Sequence, residues 1–169
     1  MAASGARAIR PASGGGDLAL ARALFVEYAR WLGVDLCFQG FDAELDGLPG
    51  KYAPPLGRLL LAGPSGEATG CAALRPLDPP PALFVAAAPV GEVKRLYVRP
   101  SARGTGTGRA LALAIVDAAR TIGYRTLCLD TLERMREARA LYESLGFARC
   151  APYYDNPLDD AVYYALPLR

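Results

Sequence analysis

Arg103-Gly104-Thr105-Gly106-Thr107-Gly108 constrains this chain more than any other stretch. It stands between a strand-like run over 92–98 and a helix-like run that begins near Arg109. The first amides of a helix have no intrahelical partner, and the helix dipole favours negative charge beside them. Three glycines let a ligand approach the backbone without side-chain obstruction. The two threonines add donors, and Arg103 and Arg109 add positive charge. This pattern points to a phosphate or pyrophosphate site. The length of 169 residues fits a single domain over 1–169 with a real core.

Several function classes drop out on composition. The chain has no histidine, which removes Ser-His-Asp and Cys-His mechanisms and the commonest zinc ligand. A net charge of +2 without a polybasic run gives no argument for nucleic acid as a partner. Cys37, Cys71, Cys128 and Cys150 are far apart and form no C-x-x-C pair, so they read as buried free thiols and no metal site is expected. No apolar run reaches the roughly 20 residues that span a bilayer, and no apolar leader is visible, so the expectation is a cytoplasmic protein with no membrane partner.

Periodicity predicts a short strand over 6–11, a helix from the capping Asp17 to about Leu32, and a short helix over 41–48. A strand over 58–62 turns at 63–66 into an antiparallel partner over 68–77. The proline-rich stretch 78–91 reads as a loop. A strand over 92–98, a helix over 109–121, a strand over 125–131 and a helix over 135–145 follow. Two last strands are expected near 147–153 and 161–166. The order predicts an α+β (α/β-like) domain with a mixed central sheet flanked by helices.

The glycine turn alone does not name its ligand. A P-loop requires a lysine after its glycines, and none follows here; the Rossmann spacing is also absent. A second motif decides the reading. Arg103, Gly106 and Gly108 match Gln/Arg-x-x-Gly-x-Gly/Ala. Ala138, Leu141, Tyr142, Gly146 and Phe147 match Asn-x-x-Ala-x-x-Leu-Tyr-x-x-x-Gly-Phe, with Met135 in place of the leading Asn. In this order and separation, the pair resembles the GNAT superfamily of N-acetyltransferases over about 92–147.

The resemblance implies a sheet whose middle strands splay, with acetyl-CoA as co-substrate in the gap. Leu96, Tyr97 and Val98 would run along the pantetheine arm. Arg103, Gly104, Thr105, Gly106, Thr107, Gly108, Arg109 and Ala138 would hold the rest, with Arg99 as a further phosphate contact. Tyr142 matches the position whose phenol protonates the departing thiolate. Glu92, eleven residues before Arg103, is the candidate base for the amine, directly or through water. Direct attack in a ternary complex is expected, since no cysteine has a histidine to activate it.

The acceptor side is thinner. Trp31, Asp35, Phe38, Gln39 and Glu44, and the run Tyr153-Tyr154-Asp155-Asn156, are candidate linings, with a small or amino-acid-like amine as acceptor and a monomer or homodimer as the assembly. The alternatives are a sensor that holds acyl-CoA without turnover, an acetyltransferase acting on protein N-termini or lysines, and a nucleotide-binding domain unrelated to CoA.

Overall fold

A computed structural model describes residues 8–169. Seven strands form one sheet in the order β1-β2-β3-β4-β5-β7-β6. These are β1 Ile9–Pro11, β2 Arg58–Ala62, β3 Gly70–Leu77, β4 Val90–Val98, β5 Thr126–Leu132, β6 Ala148–Cys150 and β7 Ala161–Pro167. Helices α1 Gly14–Leu32, α2 Phe41–Asp46, α3 Thr107–Ile122 and α4 Arg136–Ser144 cover it. Every strand pair is antiparallel except β4 with β5, which are joined through α3. A parallel pair requires such a crossover, and it buries the strands on both faces.

Alternation along the strands divides the core in two. Leu60, Ala62, Ala72, Leu74, Val93, Leu127 and Leu129 face α3, whose Leu111, Ile115, Val116 and Ala119 are buried against them, together with Tyr142 of α4. Leu59, Leu61, Cys71, Ala73 and Tyr97 face α1, through Ala21, Leu24 and Phe25.

The mixed sheet, the element order and the two long helices agree with the sequence reading, and four local features differ. Helix α1 starts at Gly14, ahead of Asp17. Asp17 reaches back instead: its carboxylate accepts the Ser13 amide at 2.8 Å and the Arg10 guanidinium at 2.5 Å. The stretch expected as a loop holds a 3₁₀ helix over Ala82–Ala87, because Phe84 is buried against Tyr153. Strand β6 is shorter than expected, ending ahead of Pro152, which has no ladder donor to give. Of the four thiols, Cys71 and Cys128 are buried, whereas Cys150 is half-buried and Cys37 exposed, on a short turn outside either core. The beginning of the strand expected over 6–11 lies outside the described residues.

Candidate active site at the split between β4 and β5

The glycine turn is built to present backbone. Gly104 and Gly106 hold φ of 75° and 86°, a region costly for other L-residues, and Gly106 is the N-cap of α3. The first intrahelical bond is Ala110 N–H to the Gly106 carbonyl at 3.0 Å. The amides of Thr107, Gly108 and Arg109 therefore find no acceptor among the described residues. A Cβ at Gly104 or Gly106 would meet nothing within 4 Å, so the space in front of these amides is open. The threonines are used otherwise than expected. Thr105 Oγ donates to the Ala102 carbonyl at 2.6 Å and pairs with Thr107 Oγ at 2.8 Å. They staple the turn, and Thr107 is buried.

Beyond the turn, the sheet opens. Strands β4 and β5 pair only at Val90, Gly91 and Glu92, opposite Thr126, Leu127 and Cys128. Past that last rung they separate. A bulge adds to the divergence: Arg95 and Leu96 together oppose Ala72, and Arg95 holds φ 59°, the one non-glycine residue at positive φ among those described. That strain is held by α2, where Glu44 takes the Arg95 guanidinium at 2.8 and 3.3 Å; Gln39 accepts at 2.9 Å and the Phe41 ring lies 5.1 Å away. The gap is a cleft of about 650 Å³. It runs from the turn residues (Arg103, Gly104, Gly106, Thr107, Gly108) along Leu96, Tyr97 and Val98 to Met135, Ala138 and Leu141 of α4. Trp31 stands at its rim, with the Arg103 guanidinium 4.6 Å over its ring.

At its inner end, the cleft meets a second cavity of about 40 Å³, sharing Leu96, Met135 and Ala138 with it. Polar groups from both sides of the sheet converge there. Lys94 and Asp130 enter from the α1 side; Tyr142 enters from the α4 side. Lys94 Nζ lies 3.2 Å from Asp130, and both side chains are nearly sealed, at 5% and 11% exposed. Asp130 also accepts the Tyr154 hydroxyl at 2.7 Å. Burial alone would raise the Asp130 pKa, but the Lys94 charge and the bonds from Tyr154 and Lys94 outweigh it and hold the carboxyl below its ordinary value. Burial pushes the Tyr142 phenol well above its ordinary value, so it keeps its proton at neutral pH. Its hydroxyl has no hydrogen-bond partner among the described residues. Tyr28, also on this cavity, is pushed up to about 12 by burial.

The family model described as the acetyltransferase (GNAT) family matches residues 25–147. An uncharacterised N-acetyltransferase of Schizosaccharomyces pombe is 39% identical over 90% of this chain and 89% of its own length. The chain belongs to the GNAT family. It is an acetyltransferase by that membership. Among solved structures, an acyl-CoA N-acyltransferase fold from Klebsiella pneumoniae is 28% identical with a TM-score of 0.63, covering 96% of this chain and 97% of that one. A Salmonella typhimurium structure holding acetyl-CoA matches at TM-score 0.64 and 22% identity, covering 97% of this chain and 95% of that one, a likeness of fold.

Against that GNAT frame, the residues expected from sequence separate into three groups. Leu96, Tyr97, Val98, Arg103, Gly104, Gly106, Thr107, Gly108, Ala138 and Trp31 line the cleft. Tyr142 lines the inner cavity. The rest line neither. Thr105 braces the turn. Arg109 bonds Ser144 at 2.9 Å and ties α3 to α4, while Arg99 is held by Glu27 at 2.7 and 2.9 Å. Phe38 is exposed away from both cavities. Tyr154 and Asn156 back Asp130 from behind, with Asn156 Nδ2 donating to the Tyr154 oxygen at 2.9 Å. Glu92 sits on the last rung, before the gap opens, 1% exposed. One of its oxygens takes Arg75 at 2.6 and 2.7 Å, and Tyr153 donates to the other at 2.8 Å. Lys94 and Asp130 were not singled out. A lone charge inside the apolar run Leu127-Cys128-Leu129-Asp130-Thr131-Leu132 was the available signal.

Proposed function

We propose that this protein transfers an acetyl group from acetyl-CoA to the primary amine of a small or amino-acid-like acceptor, by direct attack in a ternary complex. The observation that carries the reading is the continuity of the cleft. One end offers orphaned amides for a pyrophosphate, and the other opens on a polar cavity beside Tyr142. Gly104, Gly106, Thr107 and Gly108 would hold the pyrophosphate through backbone amides, with Arg103 adding charge. Leu96, Tyr97, Val98 and Ala138 would flank the pantetheine arm.

In this reading, amides of the bulge at Arg95 and Leu96 polarise the thioester carbonyl. Tyr142 gives its proton to the departing sulfur, a role that suits a phenol kept neutral by burial. Glu92 keeps a part on the amine side only through its neighbours. Its Oε1 lies 3.9 Å from Lys94 Nζ, and Lys94 in turn holds Asp130. Glu92 is thus a positioning residue.

A panel of primary amines with acetyl-CoA, read by free thiol release, tests the proposal. Release with at least one amine, lost on Tyr142→Phe, is the expected result. Binding of acetyl-CoA without thiol release from any amine would replace the enzyme with the sensor alternative. The single tryptophan, Trp31, lies on the cleft rim and supplies a fluorescence signal for the binding step.

A further inference from the structure

The carboxylate that meets the acceptor deepens the reading above and rests on it. Glu92 and Asp130 are the only acids on β4 and β5, the two strands that part. They differ in place by two residues on neighbouring strands. Glu92 pairs with Cys128 on the last closed rung, and Asp130 lies two residues past it, on the same side of the sheet. That step carries Asp130 beyond the point where the strands part. Asp130 lines the inner cavity; Glu92 does not. We propose that Asp130 is the catalytic residue that receives the acceptor's ammonium in the inner cavity and takes its proton.

The carboxylate has capacity left for this. Two oxygens offer about four acceptor sites. Oδ1 takes Lys94 at 3.2 Å; Oδ2 takes Tyr154 at 2.7 Å and Asn156 at a marginal 3.5 Å. Tyr154 is in turn fixed by Gln39 at 3.2 Å. These contacts hold the carboxylate ionised and fixed in orientation, which prepares it for a cation arriving from the cavity. Glu92, by contrast, would have to break its bonds to Arg75 or Tyr153 first. The cavity of about 40 Å³ opens on the cleft and offers room for the amine end of an acceptor beside Asp130.

The step balances as follows. The ammonium gives one proton to Asp130. The neutral nitrogen lone pair forms the C–N bond to the thioester carbonyl, and the C–S bond breaks with its electron pair going to sulfur. Tyr142 supplies the sulfur with a proton and regains one from the amide nitrogen through cavity water. Asp130, held below its ordinary pKa by Lys94 and Tyr154, passes that proton on to solvent and is ionised again before the product leaves.

The test compares two nucleophiles with acetyl-CoA at pH 7. Methylamine arrives as an ammonium and needs a base. Hydroxylamine arrives neutral and needs none. Asp130→Asn is expected to lower kcat/KM for methylamine about 100-fold while changing hydroxylamine turnover by about threefold or less. Acetyl-CoA binding, read from Trp31 fluorescence, is expected to persist and shows that the variant is folded. Equal losses with both nucleophiles, or no loss with either, would overturn the assignment. So would Glu92→Gln showing the selective loss in place of Asp130→Asn. Wild type inactive with both nucleophiles and with the whole amine panel would sink the acetyltransfer reading itself, a distinct failure.

Discussion

The two ends of the split are made of different material. The outer end is backbone: glycines at positive φ, orphaned amides and an exposed turn. The inner end is side chain: Lys94–Asp130, Arg95–Glu44 and Arg75–Glu92, three ion pairs whose β4 and β5 members are nearly sealed from solvent. A site made of amides accepts any ligand with a phosphate in the right place and tolerates change in the side chains around it. A site made of buried ion pairs is set by each partner, because removing one leaves an uncompensated charge. The outer end thus suits a common co-substrate, and the inner end suits discrimination among acceptors.

The sharpest way to break this comparison is at Arg95. It bears a strained φ of 59° and is 3% exposed at its side chain, with Glu44 as its anionic partner. Glu44→Ala should destabilise the fold by about 3 kcal/mol, the range for orphaning a buried charge. Thermal unfolding checks the size, and Trp31 fluorescence should still report acetyl-CoA binding near the wild-type affinity. A collapse of that binding along with stability would mean that the two ends are one unit.

Tyr142→Phe comes next and acts on chemistry rather than stability. It should lower kcat by about 10²-fold, the lower part of the range for a positioned acid. In the proposed mechanism the phenol acts in its protonated form, and its pKa is raised by burial. The acid is therefore fully present at every pH below that raised value. A pH profile of kcat should show no loss as pH rises to about 9.5, where an ordinary tyrosine has begun to ionise. An alkaline limb inside that range that Tyr142→Phe removes would contradict the assignment.

The same contrast of materials explains what was legible beforehand. The turn could be read from Arg103 to Gly108 because backbone geometry is written locally, in glycine spacing and in the strand and helix on either side. The α4 motif from Ala138 to Phe147 is local for the same reason. Glu92 was singled out by its distance along the chain from the turn, yet its surroundings come from Arg75 on β3 and Tyr153 beyond β6. No local pattern states that β4 and β5 stop pairing at Glu92 and Cys128, so nothing local distinguishes Glu92 from Asp130. The Gln39–Tyr154 bond spans 115 positions. Tyr154 and Asn156 were picked out as acceptor lining, and the structure puts them behind Asp130 instead.

At the outer end, Gly106→Ala sharpens the comparison with a smaller effect. A Cβ there has open space, so no clash opposes it; the cost is the left-handed φ of 86°. Strain of about 1 kcal/mol should lower the melting temperature by roughly 2–4 °C. Acetyl-CoA affinity should fall further than stability does, because the added methyl occupies the space in front of the free amides. Unchanged affinity in a calorimetric titration would remove the turn from the ligand site.

The smallest effect expected is at the link between α1 and the end of β4, where Arg99 holds Glu27 at 2.7 and 2.9 Å. Both side chains are 35% exposed, so the pair contributes at most about 1 kcal/mol. The Glu27 pKa is lowered: the hydrogen bond from Arg99 outweighs the opposing effect of burial, and the charges of Arg99 and Arg30 add to it. A carboxyl whose folded pKa lies under its unfolded one stabilises the protein above the ordinary glutamate pKa. That contribution is lost as pH falls through the folded value. Glu27→Gln should therefore cost a few tenths of a kcal/mol to about 1 kcal/mol at pH 7 and progressively less as the pH is taken below about 4. The gap between wild type and variant in urea unfolding at the two pH values measures it, and a gap that widens on acidification would mean that Arg99 stabilises the outer end through something other than Glu27.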